Sequence, residues 1–307
     1  MIDVLETTPA LLVGGAFLLS LMVGSFLNVV IHRLPVMLDR QWRAQAEELL
    51  AETGTAAPRP QADRAAPATP AKYNLLTPRS ACPHCGAPIR AHQNIPLLSW
   101  LLLGGRCASC KGRISARYPI VELATALLSA VVVWRFGWHW QSVAALVVTW
   151  ALVALTVIDL DHQVLPDVIT LPLLWLGLLA SLAWHAGLAP PLPADPRSAI
   201  LGAVAGYLSL WSVYWAFKLL TGKEGMGYGD FKLFAALLAW LGYQMFLPIL
   251  LLSALTGAIT GIALIALGRH ARQEPIPFGP YLAAAGFVAL AWGEPLLTAV
   301  PFLRIFP

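Results

Sequence analysis

Apolar stretches of about 20 residues recur along the chain, each long enough to cross the hydrocarbon of a bilayer. Nothing else constrains the fold so strongly. A soluble core cannot hide many helices that are apolar all round. Composition agrees: 58% of the 307 residues are hydrophobic and 12% are charged, against about 25% charged in a soluble domain. The expected class is an all-α polytopic membrane protein with about eight transmembrane helices, at roughly 10–31, 119–136, 141–160, 166–187, 198–220, 229–246, 247–267 and 278–300. The N-terminus begins with acids, Asp3 and Glu6, and its apolar run is long. It reads as a retained first helix rather than a cleaved signal peptide.

Basic residues are retained on the cytoplasmic side. Twelve of the twenty Lys and Arg lie between residues 33 and 118. With eight spans, the loops on that side and their helix ends add Lys218, Lys223, Lys232, Arg269 and Arg272, leaving Arg135, Arg197 and Arg304 opposite. Residues 33–118 are therefore expected in the cytoplasm and both termini outside. The formal net charge of +4 is an orientation signal, and no nucleic-acid partner is implied. Three divisions follow: a first transmembrane helix (1–32), a cytoplasmic domain (33–118) and a seven-helix core (119–307). Within the second, an Ala/Pro-rich insert (about 50–71) has no apolar period and reads as disordered.

The only four cysteines, Cys82, Cys85, Cys107 and Cys110, form CPHC and CASC with 21 residues between the pairs. Two such pairs read as a structural tetrathiolate zinc site, a zinc-ribbon-like module over 82–110. A cytoplasmic location disfavours disulfides. Basic neighbours (Arg90, Arg106, Lys111) offset the negative charge of four thiolates. His84 and His92 read as surface histidines. Four thiolates leave the metal no open position, so the site is not catalytic.

Carboxylates within the spans and at their ends are few, among them Glu122, Asp159, Asp161, Asp167 and Asp230. Each is a functional candidate at membrane depth. Asp159 ends the third span and Asp230 follows the glycines of GMGYGD, both at the cytoplasmic face. Two carboxylates a few ångströms apart share a proton, the arrangement that lets one activate water while the other polarises a carbonyl. Gly227 and Gly229 let backbone approach the partner acid or an extended substrate. Asp230 and Asp167 also suit helix caps. On residue type alone, an acid pair in a bundle serves a protease, a cation site or a proton relay.

Six segments then carry a resemblance: GSFLNVVIHRLP, CPHC…NIPLLSWLLLGGRCASC, RYPIVELATALLS, IDLDHQVLPD, GKEGMGYGDFKL and PIPFGPYL. In this order they resemble the bacterial type IV prepilin peptidases, the bifunctional leader peptidase/N-methyltransferases of pilus and type II secretion systems. The likeness covers nearly everything but the Ala/Pro-rich insert. It implies that Asp159, the first acid of D-x5-L-P-D, and Asp230, the acid of G-x-G-D, are catalytic. It implies cleavage of prepilin and pseudopilin leaders after a Gly, at the cytoplasmic face of the inner membrane. Methylation of the new N-terminal residue, usually Phe, with S-adenosylmethionine would follow. No glycine-rich turn between strand and helix marks a Rossmann methyltransferase. Gly104 and Gly105 are candidate donor contacts or a tight turn. Glu122 is a candidate for the substrate amine or for pairing with a basic residue. Lys223, Glu224 and Lys232 either orient substrate or solvate the bundle's face. A peptidase without methylation and a transporter are the competing readings.

Overall fold

The computed structural model describes residues 8–53, 73–185, 194–268 and 276–299. The Ala/Pro-rich insert lies almost wholly outside the described residues, as do the basic residues Arg269, Arg272 and Arg304. Among the described residues the fold is helical, with two isolated β-bridges and no sheet. The helices are α1 (Pro9–Glu52), α2 (Leu98–Leu102), α3 (Arg117–Phe136), α4 (Trp140–His162), α5 (Asp167–His185), α6 (Pro196–Thr221), α7 (Tyr228–Leu241), α8 (Phe246–Ala266) and α9 (Gly279–Ala299). The chain forms two compact units, Leu21–Leu123, and Met1–Ser20 with Ala124–Pro307.

Among the described residues, six helices are long and apolar enough to cross a membrane: α1, α3, α4, α6, α8 with the 3-10 turn before it, and α9. The chain is a multi-pass membrane protein. The expected count of eight is not reached on this measure, because two apolar runs make shorter helices. In α5 the apolar stretch is Asp167–Leu182. The sixth expected span, 229–246, becomes the 14-residue α7, only about 21 Å long. Its apolar character serves protein packing instead of lipid. Residues Phe231 and Leu233 to Trp240 are all buried, and Gly242 (φ +82°) ends the helix. Glycines on three surrounding helices permit this enclosure. A Cβ on Gly177, Gly202, Gly206 or Gly286 would come within 2.5–2.9 Å of Trp240, Leu238 or Leu237. Trp240 also donates its indole N–H to the Leu173 carbonyl of α5 at 2.8 Å.

The first helix is longer than its expected span of 10–31, running unbroken to Glu52. At 44 residues it measures about 66 Å, twice a bilayer's hydrocarbon. Its polar half, MLDRQWRAQAEELLAE, is rich in strong helix formers and carries an Asp39–Arg43 pair at 2.9 Å. Apolar periodicity finds the membrane half and misses this one.

Candidate active site and cysteine module

In the larger unit, five helix ends meet: the C-termini of α4 and α6 and the N-termini of α5, α7 and α9. Asp159 lies in the last turn of α4 and is 5% exposed. The helix stops just beyond it, where Gln163 turns left-handed (φ 53°) and donates its N–H to the Asp159 carbonyl. The Asp159 carboxylate accepts the N–H of Gly279, the first residue of α9, at 3.1 Å. Asp230, third residue of α7, is 7% exposed and donates its backbone N–H to the Gly227 carbonyl at 3.2 Å. Two acids that stand far apart in sequence are thus both buried, on segments that pack against the same residue, Leu165.

Leu165 holds the two acid-bearing segments in register. A Cβ on Gly229, beside Asp230, would lie 2.7 Å from the Leu165 Cβ. A Cβ on Gly279 would lie 2.6 Å from the Asp159 Oδ2 and 3.1 Å from the Leu165 Cδ2. Leu165 itself is buried. The glycines of the loop therefore divide. Gly229 is required by close packing, whereas a Cβ on Gly227 would meet Asp230 Oδ2 at an ordinary 3.7 Å. Gly229→Ala is expected to lower the thermal midpoint and activity together, and Gly227→Ala to leave the midpoint unchanged. Thermal unfolding of both variants checks this.

The flanking charges have partners of their own. Lys232 makes a two-pronged bond to Asp167, 2.7 Å to each oxygen, joining the first turns of α5 and α7. Lys218 binds Glu224 at 2.8 Å and the Tyr214 hydroxyl at 3.1 Å, which in turn donates to Glu224 at 3.2 Å. Hydrogen bonding and charge from Lys218, then the Tyr214 hydroxyl, hold Glu224 below the usual carboxylate range. These contacts tie the loop before Asp230 to α6. Lys223 and Asp161 are exposed.

The smaller unit holds the four cysteines, all reduced, with their sulfurs within 4.8 Å of one another. Cys82 Sγ and Cys110 Sγ are 3.9 Å apart, close to the edge of about 3.8 Å for four thiolates at 2.3 Å around one zinc. The two knuckles repeat each other bond for bond. Cys82 N–H binds Ala87 O as Cys107 N–H binds Gly112 O, and Ile89 N–H binds Ser80 O as Ile114 N–H binds Gly105 O. Amides of Cys110 and Ser109 lower the Cys107 thiol to about 6, whereas, against the Gly112 amide, hydrogen bonding to the Cys85 thiol pushes Cys110 up to about 11, as expected of clustered thiols that cannot all ionise without a cation. The fourth position after each first cysteine is left-handed, Gly86 at φ 70° and Lys111 at φ 59°. A lysine there costs about 1 kcal/mol. Lys111→Gly is therefore expected to tighten the module, raising the chelator concentration needed to strip its metal severalfold. His84 bonds the Arg113 carbonyl, and His92 is exposed. Gly104 and Gly105 both have positive φ, and Gly105 lies against the Trp100 ring, so this pair shapes a tight turn. Glu122 is buried and accepts the Leu97 N–H at 2.7 Å and a Ser25 hydrogen bond.

Residues 146–262 match the family model "Type IV leader peptidase family", and residues 18–136 match "Bacterial Peptidase A24 N-terminal domain". Curated relatives match across nearly the whole length. A prepilin leader peptidase/N-methyltransferase from Aeromonas salmonicida is 56% identical over 96% of this chain and 95% of its own. One from Pseudomonas aeruginosa is 54% identical over the same shares. A third, from Burkholderia pseudomallei, is 48% identical over 91% of this chain and 85% of its own. The chain belongs to the type IV leader peptidase family. No solved structure matches it significantly. For a leader peptidase, Leu165 and Gly279 are the residues that sequence reasoning passed over. Both lie inside quoted motifs, and a Gly-Pro pair opening a helix is the signal that an amide there is free to point outward.

Proposed function

We propose that this protein cleaves the leader peptides of type IV prepilins and type II secretion pseudopilins, with Asp159 and Asp230 as the catalytic pair, and methylates the new N-terminus. The observation that carries the peptidase reading is the burial of these two acids, 5% and 7% exposed, on segments that both pack against Leu165 at one end of the helix bundle. One carboxylate takes a proton from water as it attacks the scissile carbonyl. The other, protonated, donates a hydrogen bond to the carbonyl oxygen and later returns a proton to the leaving amine. The Gly279 amide holds Asp159 in place through one oxygen and leaves the other for water. The relatives' names support both activities.

The distribution of basic residues supports a cytoplasmic position for residues 33–118 and for the acid end of the bundle, in a bacterial inner membrane. A prepilin presents its leader there, with its own membrane helix following, so the bond after the leader's Gly lies at that surface. Residues 119–307 would then form the peptidase core.

The cysteine geometry fits zinc, held by Cys82, Cys85, Cys107 and Cys110. With four protein ligands it supplies rigidity and no open coordination site. Cys82→Ser and Cys107→Ser proteins are expected to purify without the single equivalent of zinc carried by the parent, as metal analysis would show. S-adenosylmethionine supplies an electrophilic methyl group in such a reaction. Among the described residues no strand-to-helix glycine loop offers it a cradle, Glu122 is committed to the Leu97 turn, and Gly104 and Gly105 shape their own turn.

The test is incubation of the membrane-embedded protein with a prepilin, with and without S-adenosylmethionine, read by mass spectrometry. The expected product is a pilin trimmed after Gly and one methyl heavier only when the donor is present. An uncut prepilin contradicts the peptidase. A trimmed pilin that never gains a methyl contradicts the transferase.

A further inference from the structure

The leucine-rich segment NIPLLSWLLLGG is explained neither by the acid pair nor by the metal site. It forms α2 and its flanks, and its apolar side chains point outward: Leu98, Leu101 and Leu102 are 50%, 58% and 78% exposed. A soluble loop that displayed these side chains together would be an aggregation liability.

Three observations indicate what covers them. First, the segment is fastened to a membrane helix at membrane depth. The Leu97 N–H donates to Glu122, the sixth residue of α3, which places it about 8 Å along a helix that is itself just long enough to span. Asn28 of α1 bonds the Tyr118 carbonyl of α3 at 3.1 Å, so both membrane helices are joined at this level. Second, most backbone N–H groups of the segment are bonded within the protein. The Ile95 N–H goes to the Ser99 hydroxyl, and the Leu97 N–H goes to Glu122. Those of Leu98, Ser99, Leu101, Leu103, Gly104 and Gly105 go to carbonyls of the same segment. Irregular backbone is tolerated in an apolar medium only on this condition. Third, the segment is held in a strained form. Leu97 has φ 59° and ψ −51°, with the Leu98 N–H bonded to the Pro96 carbonyl, a γ-turn of the rare, costly hand. The turn aims α2 away from its anchor, and the buried Glu122 carboxylate holds it there.

We propose that α2 lies in the bilayer, with Leu98, Leu101 and Leu102 at the boundary between headgroups and acyl chains, so that the cysteine module is seated on the membrane. The occupant of this surface is lipid. Exposed Arg90, Arg106, Lys111 and Arg113 flank the leucines in the same unit and suit an anionic headgroup layer.

The test places a photoreactive diazirine amino acid at Leu98, Leu101 or Leu102, one at a time, in the full-length protein in vesicles of phosphatidylethanolamine and phosphatidylglycerol. Leu255 on α8 is the lipid-facing control, and Glu48 on the polar half of α1 is the aqueous one. Lipid adducts comparable with those at Leu255 and severalfold above Glu48 are expected. Adducts with water alone, with an added prepilin, or with a second copy of the chain would overturn the proposal. Hydroxyl-radical footprinting of the unsubstituted protein in the same vesicles needs no variant. Leu98, Leu101 and Leu102 should be labelled severalfold less than exposed Leu49, and equal labelling would contradict the lipid assignment.

Discussion

Asp159→Asn and Asp230→Asn proteins are expected to leave a prepilin essentially uncut while remaining folded. Losing a general acid or base costs about 10²–10⁴ in rate, and here the same two groups must also polarise the carbonyl. Asparagine keeps the shape of each side chain. The Gly279 amide still finds an acceptor in the side-chain oxygen at 159, and the Gly227–Asp230 backbone bond does not involve the side chain. Neither substitution opens a cavity, and each removes a buried acid whose charge costs stability. Activity should therefore fall by orders of magnitude with a thermal midpoint equal to or above that of the parent. A loss of activity explained by unfolding would show instead as a lowered midpoint.

Gly279→Ala is expected to be nearly as damaging to cleavage and mild in its effect on stability. The added methyl would lie 2.6 Å from the Asp159 Oδ2, the movable end of a side chain, so the carboxylate rotates away at small cost. That movement breaks the amide bond that fixes it and displaces the reacting group by a distance of the order that costs about 10²-fold in rate. The substitution is aimed at the position of the acid, so kcat is expected to fall while KM changes little. A steady-state series on parent, Gly279→Ala and Gly279→Val proteins checks this, with the larger side chain the more severe. A variant that binds poorly and turns over normally would show that Gly279 contacts substrate rather than the catalytic acid.

The parts of this architecture that were legible in sequence are those in which a residue type is rare for its surroundings. Asp159 and Asp230 stand out because acids are expensive in apolar runs, and the four cysteines because their spacing has few other uses. Contacts between residues far apart in sequence leave no such mark. That the Gly279 amide reaches Asp159, or that Leu165 packs against both Gly229 and Gly279, follows from helix packing and not from local pattern. The membrane class was legible, whereas the count of eight spans is not confirmed, since hydropathy cannot separate lipid from protein as the surroundings of an apolar helix. Phe231 and Leu233 to Trp240 are apolar because α7 is wrapped by other helices. The polar half of α1 escaped notice for the opposite reason, having helix propensity but no apolar face. Glu224 and Lys232 looked available to substrate, and each is paired with a residue of the chain's own helices.

Asp159 and Asp230 are proposed to activate water and polarise a carbonyl, and transfer of a methyl group to an amine needs neither, so cleavage should depend on them and methylation should not. One measurement separates the two: parent, Asp159→Asn and Asp230→Asn proteins are each given an intact prepilin or a pilin already trimmed after its Gly, with S-adenosylmethionine present, and every product is weighed by mass spectrometry. The account predicts that both variants leave the intact prepilin uncut and add one methyl to the trimmed pilin at the parent's rate. Normal trimming of the intact prepilin by either variant would contradict it.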